Sequence, residues 1–400
     1  MLKQILNFTA AAVIALSAKG QTPEITSWVI NTNGATGYAG ILTNVQQVQY
    51  STDSVYISAT CIPGYSIGPW NSNPNTPANQ NFVYKITRNP QQNTGTLVSV
   101  PLGHIGVWSN GVSIYNAEDG MSYNNAGVWN RNAYYYEGIS FDNCLGHPAP
   151  NGEYHHHVNP KCLYADTDST RHSPIIGFAF DGYPIYGAYA YTGVNGTGAI
   201  KRMTSSYVLS AATTRTNGPA VSSTYPAGCF CEDYIYTQGA GDLDVHNGRF
   251  CVTPEYPAGT YAYFVTIDQD RTPVYPFVIG ATYYGTVPGG NTGPTGGHNT
   301  ITESVTTYSP LTGIATEKQE ISTLIYPNPT SDYLFLYINP IASNNFTAKL
   351  MDAQGRIVLS KSNIQPTISY VLDLSQLAKG EYFLNVRNDT RQFTQAVIVK

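Results

Sequence analysis

The stretch PLGHIGVWSNGVSIY, residues 101–115, carries the reading that decides the fold. Residues 106–108 and 112–115 form two short, largely apolar runs, and Asn110-Gly111 between them is a strong hairpin-turn signal, so a β-hairpin is predicted here. Outward from it the pattern repeats: residues 27–30, Val45–Tyr50, 54–58 and 82–86 read as short strands. Residues 68–80 (GPWNSNPNTPANQ) form a polar, Pro/Asn-rich loop. Helical signal is weak, with one or two turns at most in residues 125–137. Composition agrees, because 32 Tyr, 37 Gly and 25 Pro suit a turn-rich β protein in which one ring face packs while the hydroxyl finds a partner. The expected class is mainly β, with long loops and few short helices.

The ends read differently. Met1, Leu2 and Lys3, an apolar run through Ala11–Leu16 and an Ala18-x-Gly20 exit make residues 1–20 a secretory signal peptide. No later stretch is apolar for long enough to cross a bilayer. About 380 residues remain, enough for two or three domains. Residues 21–284 read as one β-rich domain, and 285–320, opening with GTVPGGNTGPTGGHNT, as a flexible linker with His298 exposed inside it. Residues 321–400 read as a small two-sheet, Ig-like sandwich, because residues 382–386 and 393–397 alternate as half-buried strands do. Charge is sparse: 20 Lys plus Arg against 25 Asp plus Glu leave a net −5, which excludes a nucleic-acid backbone as partner.

Five of the eight histidines lie between positions 147 and 172, three of them consecutive. If residues 154–158 are extended, His155 and His157 share one face while Tyr154 and His156 point the other way. Two imidazoles on one side of a strand chelate an ion, and His147 would add a third ligand from its loop; several nitrogen donors favour copper or zinc over calcium. The competing reading is a hydrogen-bonded strand end without metal. His172 is a further candidate ligand, and His104, Asp244 and His246 are weaker ones, the last two on an alternating Asp242, Asp244, His246 run. Asp181 and Glu153 are the candidates for orienting a ligand or moving a proton, although an Asp181-Gly182 turn cap is the plainer reading of the first.

Six cysteines in an oxidising compartment should mostly pair. Cys144 and Cys162 are expected to close the histidine loop. Cys61, Cys229, Cys231 and Cys251 are left unassigned, because six cysteines allow fifteen full pairings.

Two resemblances refine this picture. Tyr326-Pro327-Asn328-Pro329, Met351-Asp352-Ala353-Gln354-Gly355-Arg356, Asp373-Leu374-Ser375, Leu377 to Tyr382 and the final Val397-Ile398-Val399-Lys400 resemble the type A C-terminal sorting domain of the type IX secretion system. This implies passage through the periplasm, recognition by the outer-membrane machinery, and release or attachment at the cell surface. Gly106-Val107, Asn110-Gly111-Val112, Gly146-His147-Pro148, Tyr154-His155-His156-His157, His172-Ser173-Pro174, Phe180 to Gly187 and Asn247-Gly248-Arg249 resemble the YHYH domain family, from about residue 54 to 285. The naming motif departs at its third position, where His156 replaces tyrosine. Carried over by motif position, the resemblance points to His147, His155, His157, His172 and Asp181.

The leading expectation is therefore a secreted or surface-attached protein that holds copper or zinc in a histidine cluster, with zinc serving hydrolysis or copper serving oxidation of an unassigned substrate. The alternative is a non-catalytic surface module in which tyrosines with Trp70, Trp108 and Trp129 stack on glycan or polymer. No phosphate loop, dinucleotide fingerprint or His-Glu-x-x-His helix occurs.

Overall fold

The computed structural model describes residues 21–293, 296–310, 319–320, 323–338, 345–353, 355–365, 370–388 and 391–400; the expected signal peptide lies outside them. The chain divides into two compact units, Met1–Ser309 and Pro310–Lys400. Both are built mainly from strands, with only short helical turns among the described residues.

In the first unit an eight-stranded sheet runs in the order Gly248–Cys251, Thr260–Phe264, Pro184–Tyr186, Ile175–Ala179, His104–Trp108, Ser113–Tyr115, Tyr154–His156, His147–Pro148. Its pairings are antiparallel except Pro184–Tyr186 with Thr260–Phe264 and Ser113–Tyr115 with Tyr154–His156. The predicted hairpin lies at its centre. Gly111 takes φ 80°, Trp108 N–H donates to Val112 O at 2.8 Å, and a Cβ on Gly111 would collide with Ala59; the turn needs glycine for conformation and for space.

The central strands are buried along their whole length because both faces are covered. On one face lies a four-stranded sheet of Thr306–Thr307, Val45–Tyr50, Ser54–Ala59 and Phe82–Thr87, whose Val55, Ile57 and Tyr84 pack with Val107, Phe178 and Phe264. On the other, Ile105, Ile114, Ile176 and Ile185 pack with Tyr275, Phe277, Val278 and Tyr283. Aromatic and β-branched side chains thus make a dry, two-sided core and leave the His147–Pro148 end of the sheet as its edge.

Three local expectations change. Residues 27–30 form no strand: Pro23–Thr26 is a short helix, and Ile30 makes an isolated bridge to Val45. The Asp242 to His246 run is a turn, because Asp244 Oδ1 accepts the N–H groups of His246 and Gly248, a local alternative to strand pairing. Residues 285–309 do not behave as a linker over the part described. Buried Asn291 exchanges side-chain hydrogen bonds with the backbone of Lys85, Val83 N–H donates to Gly297 O at 2.6 Å, and Thr306–Thr307 pairs with Val45–Tyr50. Hydrogen bonds dock this Gly/Asn-rich stretch where composition offered little to bury. His298 is exposed as expected, with its ring against Phe82.

The second unit is a two-sheet sandwich. A five-stranded sheet (Gln319–Glu320, Arg391–Val399, Gly380–Arg387, Phe346–Met351, Ile357–Ile364) and a three-stranded sheet (Thr323–Tyr326, Tyr333–Ile338, Tyr370–Asp373) share one core. Leu334, Leu336 and Leu372 meet Leu350, Leu384 and Val397 there.

Candidate metal centre

The site is built by one hairpin at the sheet edge. His147–Pro148 pairs antiparallel with Tyr154–His156, and His147 lies directly opposite His155. Opposed residues on one face have Cβ atoms only ~4.5–5.5 Å apart. His157, two residues further along, joins them as the alternation requires. The turn between the strands closes through Gly152 N–H to Ala149 O, 2.8 Å, with Gly152 at φ 81°.

Asp142 holds the approach to His147, accepting from the N–H groups of Cys144 and Gly146, from Gly68 N–H and from Tyr154 OH. Gly146 is needed because a Cβ there would collide with the Tyr154 hydroxyl. The disulfide Cys144–Cys162 closes the loop that carries all three histidines, as expected. The other four cysteines are free and buried, so the expectation that most would pair is not met. Cys61 Sγ donates to Tyr154 O, Cys231 Sγ to Ala117 O, and the Cys229 sulfur accepts from Arg215.

The three rings converge through one type of atom. His147 Nε2 lies 3.0 Å from His155 Nε2, which lies 3.1 Å from His157 Nε2. All three are buried, and their candidate ligand atoms fall within 4.8 Å of one another. Each opposite ring nitrogen meets an acceptor: His155 Nδ1 donates to Glu153 O (3.1 Å) and His157 Nδ1 to Asn116 O (2.6 Å). His147 Nδ1 donates to Ser140 Oγ (2.7 Å), whose own proton goes to Glu137 O. The Nδ1 protons are thereby fixed, and in the neutral rings the three Nε2 lone pairs point at one another. Burial, reinforced by neighbouring imidazoles, pushes His147 down to about 3 and holds His155 well below its ordinary value.

Nitrogens ~2.0–2.1 Å from a tetrahedral ion stand ~3.3 Å apart, close to the 3.0 and 3.1 Å that separate His155 Nε2 from its two neighbours. Imidazole donors with hydrogen-bonded Nδ1 atoms suit zinc or copper. Tyr115 stacks on His155, ring centroids 3.7 Å apart, and its hydroxyl bonds the Glu153 carboxylate. A cleft of about 580 Å³ opens over the rings, lined also by Asn73, Asn75, Glu118, Asp119, Tyr136 and Glu137, with Leu102 and Ile139 at its exposed rim.

The other candidates stand elsewhere. His172 Nδ1 donates to Ser173 O, and the ring packs among Tyr186, Tyr191 and Phe264. His104 pairs with Glu153 at 3.1 Å. His246 bonds Thr282, and Asp244 accepts from Tyr261 OH. Asp181 orients no histidine of the trio: buried beneath the sheet, it accepts from Tyr263 OH, Gly285 N–H and Tyr183 N–H, and burial lifts its carboxyl to about 6. Glu153 contributes its carbonyl to His155, while its carboxylate faces His104. Among the described residues no second group of three metal-ligating side chains converges in this way.

His156 is fully buried against Trp108 and Tyr154 on the opposite face, so its departure from the motif leaves the trio untouched. Trp108 is likewise core, and Trp70 and Trp129 are half-buried with their indole N–H groups bonded to Gly146 O and Thr216 O, so none of the three tryptophans expected to stack on glycan beside the tyrosines is fully exposed. Glu137 and Ser140 were missed by sequence reasoning.

No helix among the described residues is long and apolar enough to cross a membrane. No curated relative matches the chain. Residues 83–276 match the family described as YHYH protein, and residues 324–400 match the secretion system C-terminal sorting domain. The second match brings the type IX secretion machinery as partner and secretion or outer-surface attachment as destination. With the histidine motif and the C-terminal blocks both accounted for, the chain is a YHYH-family protein that carries a C-terminal type IX sorting domain.

Proposed function

We propose that the first unit is an extracellular metalloprotein domain in which His147, His155 and His157 hold one copper or zinc ion through Nε2. One observation carries this reading: three buried Nε2 atoms, with His155 3.0 and 3.1 Å from its two neighbours and all candidate ligand atoms within 4.8 Å, whose Nδ1 protons are committed elsewhere. Three bare lone pairs at that spacing repel, and a cation among them turns the repulsion into ligation. The cleft leaves the ion open to a small ligand, the arrangement of a site that acts on something rather than one that only staples a fold. Zinc there would supply an activated water for hydrolysis, and copper an oxidative centre. The protein supplies ring orientation through Ser140, Glu153 and Asn116, and an aromatic wall in Tyr115. In this reading the chain crosses the periplasm and works at the cell surface or beyond it.

The test is elemental analysis of protein purified without an affinity tag, alongside a His155→Ala/His157→Ala variant. One equivalent of copper or zinc is expected in the wild type and none in the variant, with circular dichroism unchanged. Removing the ion with a chelator is expected to lower the melting temperature, because an ion bound only by the native state stabilises it. A wild type that takes up neither metal on incubation with either salt overturns the reading.

A further inference from the structure

One atom beside the trio is not explained by the three histidines alone. Glu137 Oε2 is buried and has no hydrogen-bond donor, although the Glu137 side chain as a whole is 30% exposed toward the cleft. It stands 3.1 Å from His157 Nε2 and 3.7 Å from His147 Nε2. With the Nδ1 protons fixed, those nitrogens offer lone pairs and not protons, so the carboxylate oxygen faces a group of acceptors. A carboxylate without a donor is costly to bury. Its distances to the two nitrogens bracket the ~3.3 Å separation between ligands of a tetrahedral ion.

The backbone places it deliberately. Asn132 caps the short helix Ala133–Glu137 by accepting from Tyr134 N–H, and Glu137 is that helix's last residue. The Glu137 carbonyl then accepts from Ser140 Oγ, the hydroxyl that orients His147. One residue thus anchors the positioning of one ligand by its backbone and presents a fourth donor atom, an oxygen, by its side chain.

We infer that Glu137 is the fourth ligand of the three-histidine ion, set on the cleft side so that an incoming small oxygen- or nitrogen-donor ligand replaces it. This inference rests on the three-histidine reading. Three imidazoles fix the ion in the buried edge of the sheet, while the partly exposed carboxylate swings away when a ligand enters from the cleft. The class of molecule the site takes is therefore one with a donor atom able to compete with a carboxylate: a small anion, or a substrate carrying a carboxylate, hydroxyl or amine.

Copper(II) titration of the full chain, followed by electron paramagnetic resonance and by azide binding, tests this in the wild type, Glu137→Gln and Glu137→Ala. All three proteins are expected to take up one equivalent, with copper affinity ~10–100-fold weaker in the variants, a loss of the size seen when groups supporting a site are removed. The hyperfine splitting is expected to shift, and azide to bind more tightly once its competitor is gone. A merely structural Glu137 would change the melting temperature of the metal-free protein and leave the copper spectrum and azide affinity as in the wild type; that outcome overturns the inference while leaving the three-histidine site intact. Wild-type protein that binds neither copper nor zinc removes both readings together.

Discussion

At the residue scale, the chemistry of the site is set less by the imidazoles themselves than by what holds their far nitrogens. Ser140 Oγ at 2.7 Å from His147 Nδ1 selects the tautomer that leaves Nε2 bare. Ser140→Ala is expected to weaken metal affinity ~10–100-fold with little change in overall fold, measured by competition with a chelator of known affinity. The rings also give the metal-free protein a pH dependence. In the folded chain His147 resists protonation down to about pH 3, and His155 is depressed too, whereas in the unfolded chain both take up protons near the ordinary value of 6.5. The unfolded state therefore binds more protons below that value, and stability is lost as the pH falls from about 6.5 toward about 3. Denaturant melts of metal-free protein at several pH values check this; the His147→Gln variant is expected to show a shallower loss. A wild-type curve flat across that window would mean the rings are hydrated and free to charge.

At the element scale, a single hairpin carries the site, and the disulfide limits its freedom. The Cys144–Cys162 bridge spans 18 residues that include every ligand histidine. Closing a loop of that size contributes ~3 kcal/mol by restricting the unfolded chain. Replacing both cysteines by serine is expected to cost about that much in a urea melt and to weaken metal binding, since the loop ends then move independently. The sequence made part of this element legible. Period-two alternation put His155 and His157 on one face and His156 on the other, as found. The turn that brings His147 opposite His155, closed by Gly152 N–H on Ala149 O, was not read from the sequence. Glu137 was beyond such reasoning: it belongs to a five-residue helix that no hydrophobic period announces, and only the folded loop brings it within 3.1 Å of His157. His172 misled for the opposite reason. Its position in a dense motif suggested a ligand, yet an imidazole is also a good filler for an aromatic core.

At the scale of the whole molecule, the mainly β class followed directly from short alternating runs and turn residues, and the C-terminal blocks marked the second unit. The boundary between the units was harder to read. A stretch of Gly, Asn and Thr looks like a tether by composition, but Asn291, Asn299 and the backbone at residue 297 bond the strand Phe82–Thr87, and Tyr308 N–H donates to Val48 O. Two truncations separate the readings. A chain ending at Ser309 is expected to keep the melting behaviour and metal content of the first unit, and one ending at residue 284 to be markedly less stable, because it strips the partners from Val83, Lys85 and Val48. Equal melting temperatures for the two would restore the tether. Cells producing the chain to Ser309 are expected to retain it, as it lacks the sorting domain matched at 324–400.

The most direct measurement is anomalous diffraction at the copper and zinc absorption edges on crystals of untagged protein. One peak is expected, ~2.0–2.1 Å from the Nε2 atoms of His147, His155 and His157 together. Crystals soaked in either metal that show no peak among those rings, or rings turned apart around ordered water, would contradict it.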